Sequence, residues 1–207
     1  MTCCVITLVA MTRSVITARV IRMTRWAPDA PARLEQAAIE LFASRGYAAT
    51  TVPEIAERAG LTTRTFFRHY TDKREVLFLR ERDFPRIVSE LLAAAPPALT
   101  PWGLVMHGFE TVVSRDFDGW REGMRRRRAI IRSDPHLRER ELLKSSMLSR
   151  AIEEALVARG AEDAELLARL GSAVFDTALD AWLDDDADPP LLQVLRATRA
   201  RMLRLVD

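Results

Sequence analysis

From Leu34 onward, apolar residues return every three or four positions along the chain. Leu34, Ala37, Ala38, Leu41 and Phe42 fall at i, i+3, i+4, i+7 and i+8, the stripe of one helix face. Asp29 can cap that helix, Pro31 fits its first turn and Gly46 stops it. Thr51-Val52-Pro53-Glu54 then reads as a capping box, which opens a short helix running to about Ala59. Gly60 permits a left-handed turn, Leu61 plugs the angle, and Thr62 caps a third helix that carries Phe66 and Tyr70 inward. Asp72, three before Glu75, caps a fourth helix that continues through Val76, Leu77 and Leu79, bends near Pro85 and ends at "APPALTP". Four more helices are expected over 101–115, 118–132, Pro135–Arg159 and Asp163–Leu183. A last one follows "DDDADPP" and carries Leu191, Val194, Leu195, Thr198, Met202 and Leu205. The pattern predicts an all-α chain of about nine helices, with no strand and no internal repeat.

Composition narrows the class without naming a partner. Hydrophobic residues make up 48% of the 207 positions and glycine only 8 of them, which suits a helix-rich globular protein. The formal net charge is +2, so any affinity for a polyanion must come from where charges sit. Both cysteines, Cys3 and Cys4, are adjacent near the start and cannot bridge core elements, so a reducing compartment and a cytoplasmic location are expected. The apolar run "TCCVITLVAM" lacks a preceding basic region and a convincing cleavage site, so it is not read as a secretory signal. No run approaches the ~18 apolar residues of a spanning helix, and no membrane association is expected. Residues 1–28 hold Arg13, Arg19, Arg22 and Arg25 with no acid, and read either as a disordered extension or as a basic arm that touches DNA.

Two short helices around Gly60, braced by a preceding one, form the pattern of a helix-turn-helix, whose second helix fits a DNA major groove. Thr63, Arg64, Phe67 and Arg68 point away from the Phe66/Tyr70 face, with Thr65 and His69 beside them. An arginine there can donate to guanine O6 and N7, threonine can meet a phosphate or a thymine methyl, and Lys73 suits a phosphate. Thr51, at the start of the preceding helix, is grouped with these residues. Periodicity alone leaves open a charged helical hairpin on an ordinary bundle.

Residues 34–77 resemble the N-terminal DNA-binding domain of the TetR family. The resemblance rests on Ala38, Phe42, Gly46-Tyr47, Thr51-Val52, Ile55-Ala56, Ala59-Gly60-Leu61-Thr62, Thr65-Phe66-Phe67-Arg68-His69-Tyr70 and Lys73, in order and spacing. It implies that Thr62, Thr63, Arg64 and Thr65 open a recognition helix toward DNA, that Phe67 and His69 approach the backbone, and that Lys73 binds phosphate. Arg64 stands where the family usually has Gly, and Phe67 where it usually has Tyr. The stretches "RRRRAIIRSDPHLRERELL" and "ALDAWL" resemble, less specifically, acyl-CoA-like ligand-binding domains of TetR relatives. This implies a homodimer joined through its last two helices, and an apolar effector pocket.

The residues of the body fit such a reading on their own terms. Leu166, Leu167, Leu170, Val174, Phe175, Ala178, Leu179 and Trp182 make a stripe wider than one contact requires, as if buried on two sides. The expected dimer interface is Leu167, Leu170, Val174, Ala178, Trp182, Leu191, Leu195 and Met202. Trp102, Met106, Phe109, Val113, Phe117, Trp120, Met124 and Phe175 are candidates to line a pocket or simply to pack a core. Arg127 falls in the helical arc of Trp120, Met124 and Ile131, so it points inward and requires an anion: an internal carboxylate such as Asp176 or Asp180, or a group on the effector. The remaining arginines of "RRRR" fan around the helix, so most of them are expected in solvent. His107 and His136 have no metal-ligand neighbours, and no catalytic motif, metal site or cofactor is expected.

The domains expected are therefore an extension at 1–28, a helix-turn-helix unit at 29–77 and an effector-binding and dimerisation body at 78–207. The function expected is a repressor that binds a palindromic operator in double-stranded DNA and is released by a small apolar or amphipathic effector of the acyl-CoA-like kind. Helix 4, contiguous with both parts, is the expected lever. The alternative is an all-helical small-molecule binder or enzyme without sequence-specific DNA binding.

Overall fold

The computed structural model describes residues 30–78, 83–114 and 118–206. The expected extension, Leu79 and Phe117 lie outside these. Among the described residues there are nine α-helices and no strand: α1 (Ala30–Arg45), α2 (Val52–Arg58), α3 (Thr63–His69), α4 (Phe84–Ala93), α5 (Pro101–Val113), α6 (Arg121–Ser133), α7 (Pro135–Val157), α8 (Ala164–Asp184) and α9 (Leu191–Val206). None of these helices is long and apolar enough to cross a membrane.

The expected cap Asp29 lies outside the described residues, while other local signals act where they were expected. Thr51 and Glu54 close a reciprocal capping box at the start of α2. Gly60 takes a positive φ of 64°, and the guanidinium of Arg33 covers the carbonyl of Ala59 at the end of that helix. Asp134 accepts from the amides of His136 (2.9 Å) and Leu137 (3.4 Å) to start α7. The fourth helix differs from expectation. Asp72 accepts from the amides of Arg74 and Glu75, but only a 3-10 turn, Glu75–Leu77, follows. Pro85 then sits in the first turn of α4 and starts that helix instead of bending an earlier one, because the first turn needs no proline N–H.

Three apolar cores result. The first joins Leu34, Ala38, Phe42, Ile55, Phe66 and Tyr70 to Val76 and Leu77, and it also takes in Ile130 and Ile131 of α6 and Leu137 of α7. Fully burying one such side chain contributes about 1.5–3 kcal/mol. The second lies between α4, α5, α7 and α8 around Leu92, Leu104, Ile152, Leu156 and Ala168. The third lies between α5, α8 and α9 around Met106, Val174, Trp182, Leu191 and Leu195. Helix α5 approaches α8 so closely at Gly171 that a Cβ there would clash with Val105 Cγ1. The end of α4 and the start of "APPALTP" are tied down by Arg159, which donates to the carbonyls of Leu92 (2.7 Å), Ala95 (2.8 Å) and Pro96 (3.1 Å).

Candidate nucleic-acid interface and its link to the helical body

Helix α3 is pinned from inside and open outside. Phe66 is fully buried and packs against Tyr70 with ring centroids 5.3 Å apart, and the Tyr70 hydroxyl donates to the Pro31 carbonyl at 3.1 Å. On the other side Thr63, Arg64, Phe67 and Arg68 are exposed, Phe67 at 58%. The Phe67 ring meets Phe66 edge-on, with centroids 5.5 Å apart, and leaves its other side to solvent. His69 is half-buried, and the Arg68 guanidinium lies 3.4 Å from its Nε2. Among the described residues this cationic, hydroxyl-bearing side meets no other helix.

Several residues expected at DNA are turned to internal work. The Thr62 hydroxyl accepts from the Thr65 amide at 3.1 Å, capping α3, and the two threonine hydroxyls lie 3.0 Å apart. The Thr51 hydroxyl lies 2.7 Å from the Glu54 carboxylate within its capping box. Lys73 is the clearest departure. Its ammonium donates to the carbonyls of Tyr47 (2.7 Å) and Thr50 (2.8 Å), approaches that of Ala48 (3.4 Å), and sits 4.3 Å from the Tyr47 ring centre. Three carbonyls match the three ammonium protons, so Lys73 fastens the α1–α2 loop in place of the expected phosphate contact. A lysine four residues beyond a capped helix carries no sequence sign of which carbonyls it will meet.

The helical body reaches this unit through α6 and the start of α7. Arg127 pairs with Glu35 of α1, and the two side chains are 17% and 13% exposed. The internal carboxylate the sequence requires is thus present, but it is neither Asp176 nor Asp180, and Arg127 faces the DNA-binding unit instead of a pocket. Asp180 is taken by Arg128 and by Arg132 (2.8 Å), and Glu141 lies 3.7 Å from Arg128. Arg125 donates to the Leu183 carbonyl at 2.7 Å while part of its side chain stays in solvent, and Arg126 is the most exposed of the "RRRR" run, bonded to Glu122 one turn back. Arg140 lies over the Phe78 ring, 5.5 Å from its centre.

The body corrects other expectations. Met106 and Val113 are buried in the third core, Trp102, Phe109, Met124 and Phe175 are half-buried beside it, and Trp120 is 45% exposed. Val174, Ala178, Trp182, Leu191 and Leu195 are buried within the protomer, Leu167 and Met202 are half-buried against its cores, and only Leu170 of the expected interface is exposed. The stripe is wide because α8 is packed on several sides by α5, α7 and α9 of its own chain. The outward line of α8 is instead Leu166, Leu170, Ala173, Thr177 and Ala181, uncharged over four turns.

A short helix after a glycine turn, presenting arginine, threonine and phenylalanine outward on two bracing helices, defines a helix-turn-helix DNA-binding unit. Residues 35–79 match the model for bacterial regulatory proteins of the tetR family. The chain is 35% identical over 92 residues to the transcriptional regulator TcmR of Streptomyces glaucescens, covering 44% of this chain and 41% of that protein. It is 34% identical over 101 residues to the transcriptional repressor KstR2 of Mycolicibacterium smegmatis, covering 43% and 49%. The chain thus spans under half the length of these relatives. Among solved structures, Thermus thermophilus FadR in complex with lauroyl-CoA shares the fold at a TM-score of 0.51, with 21% identity over 84% of this chain and 93% of that one. In its N-terminal unit the chain is thus similar to the TetR family.

Proposed function

We propose that the protein is a cytoplasmic, homodimeric transcription regulator, a repressor that occupies a palindromic operator and leaves it when a small apolar or amphipathic effector binds the helical body. The observation that carries this reading is the outward side of α3, where Thr63, Arg64, Phe67 and Arg68 stand in solvent on a helix held by buried Phe66 and Tyr70. Two such helices related by a twofold would enter successive major grooves roughly 34–36 Å apart. The uncharged line of α8 from Leu166 to Ala181 supports pairing of two copies at that face. Acyl-CoA-like thioesters are one class of effector that the fold accommodates in a relative of the same architecture.

The lever is α6 rather than α4, because Arg127, Ile130 and Ile131 of α6 are set into the DNA-binding unit while Met124 and Arg128 face the body. An effector that prefers the spacing unable to bind DNA lowers operator affinity by about 5 to 150-fold, equivalent to ~1–3 kcal/mol of coupling.

Selection of bound fragments from random double-stranded DNA tests the reading. One palindromic sequence is expected, with affinity that falls steeply with salt and drops further for Arg64→Ala on that sequence. Sequence-blind binding, or a monomer on the selected site, overturns it.

A further inference from the structure

The arginines described in the DNA-binding unit divide by what they touch. Arg33 covers the Ala59 carbonyl, Arg45 pairs with Glu54 at 3.2 Å, Arg58 with Glu40 at 2.7 Å and Arg74 with Asp72 at 2.8 Å. Arg68 reaches the His69 ring at 3.4 Å. Arg64 alone is exposed with no hydrogen bond or ion pair among the described residues. Its place also works against the helix, because a cation in the first turn opposes the positive end of the dipole, and α3 has no acidic residue there to offset it. The guanidinium donors of Arg64 are thus open to an acceptor outside the chain.

Phe67 stands three residues on, about 4.5 Å further along α3 and roughly 60° around it, so the two side chains leave the same exposed side. Its ring is held against Phe66 with the two planes 81° apart. A phenyl ring has no hydrogen-bonding group, so against a duplex it offers apolar contact. In the major groove the apolar feature of a base is the thymine 5-methyl group, while guanine O6 and N7 are paired acceptors that match a guanidinium. Successive base pairs lie about 3.4 Å apart, close to the rise between the two side chains.

We infer that Arg64 and Phe67 read two adjacent base pairs of each half-site, Arg64 a guanine through O6 and N7, and Phe67 a thymine through its methyl group. Arg68, one turn beyond Arg64 and already engaged by His69, is left to the phosphates. The assignment rests on α3 being the recognition helix. At both positions the chain departs from the usual TetR residue, so the resemblance itself supplies neither contact.

The test takes the operator selected from random DNA and resynthesises it with one altered base in a half-site at a time. 7-Deazaguanine lacks the N7 acceptor and uracil lacks the methyl group, so titrating each duplex with the full chain reads the two contacts separately. One 7-deazaguanine is expected to weaken binding about tenfold. Uracil in place of the neighbouring thymine should weaken it about fourfold, the worth of one buried methyl group. Arg64→Ala should lose the 7-deazaguanine effect and keep the uracil effect, and Phe67→Ala should do the reverse. The altered duplexes probe the unmodified protein, so the outcome does not depend on any variant folding. Tolerance of 7-deazaguanine at every position, or a loss that persists in Arg64→Ala, overturns the guanine contact. Tolerance of uracil at every position, or a loss that persists in Phe67→Ala, overturns the thymine contact, and sensitive positions that are not neighbours overturn the paired reading. In each of these cases the DNA-binding reading stands. Selection of no sequence at all overturns both.

Discussion

The DNA-binding unit and the helical body are both made of packed helices, yet they fill their interiors differently. In the first, Leu34, Ile55 and Phe66 are sealed from water, and the long polar side chains that cross it are committed: Tyr70 to Pro31, Lys73 to the α1–α2 loop, Arg33 to the end of α2. In the body, Phe109, Leu148 and Phe175 keep part of their surface in solvent, and Trp102 Nε1, Arg128 Nε and Ser172 Oγ are buried without a hydrogen-bond partner among the described residues. A surface that must present side chains to a duplex at fixed positions gains from a closed interior. A domain that takes in a small molecule needs room and spare hydrogen-bonding capacity.

The contrast can be broken most forcefully at two phenylalanines. Phe66→Ala should cost about 3–5 kcal/mol in urea unfolding, as expected for a sealed aromatic. Phe175→Ala should cost less, about 1–2 kcal/mol, since part of its ring is already hydrated. Equal losses would mean that the two interiors are filled alike. Leu137→Ala, in α7 but inside the first core, should cost about 2–4 kcal/mol and appear in hydrogen exchange as faster opening of α1 and α3. Protection lost only in the body would place Leu137 with the wrong half.

A smaller change tests the link between the halves. Glu35→Gln leaves Arg127 half-buried with a neutral partner and should cost about 1–3 kcal/mol of stability, with operator release requiring a different effector concentration. Release unchanged in such a variant would remove this pair from the coupling.

The least effect near neutral pH concerns Tyr47, whose hydroxyl is pushed up to about 12, by burial first and by Asp72 second. Its contribution is complete below the unfolded value near 10 and is lost as pH rises toward 12, because the unfolded chain ionises first. Tyr47→Phe should flatten that alkaline part of the stability curve. An unchanged curve would show that the ring is wetter than the core around it.

Signals confined to a few residues were legible before any coordinates. The Thr51/Glu54 box, the Gly60 turn and the Phe66/Tyr70 pair each act over one helical turn, so spacing alone identifies them. Pairings across the fold were not. Arg127 must point inward on the period of its helix, but Glu35 lies 92 positions away, and nothing local selects it over Asp176 or Asp180. The α8 stripe signals burial without saying against what. Periodicity measures how much of a helix is covered, and the same period results whether its own chain or a second copy covers it. Lys73 shows the same limit on a smaller scale, since a cation near a loop reads alike whether it meets a phosphate or three carbonyls.

Ile130, Ile131 and Leu137 belong by position to the body and by packing to the first core. Grafting residues 29–77 alone onto a foreign scaffold would therefore carry over a module with part of its floor missing, prone to stick or unfold. A transplant of operator specificity has to bring the α6–α7 elbow with it, or confine itself to the outward positions of α3.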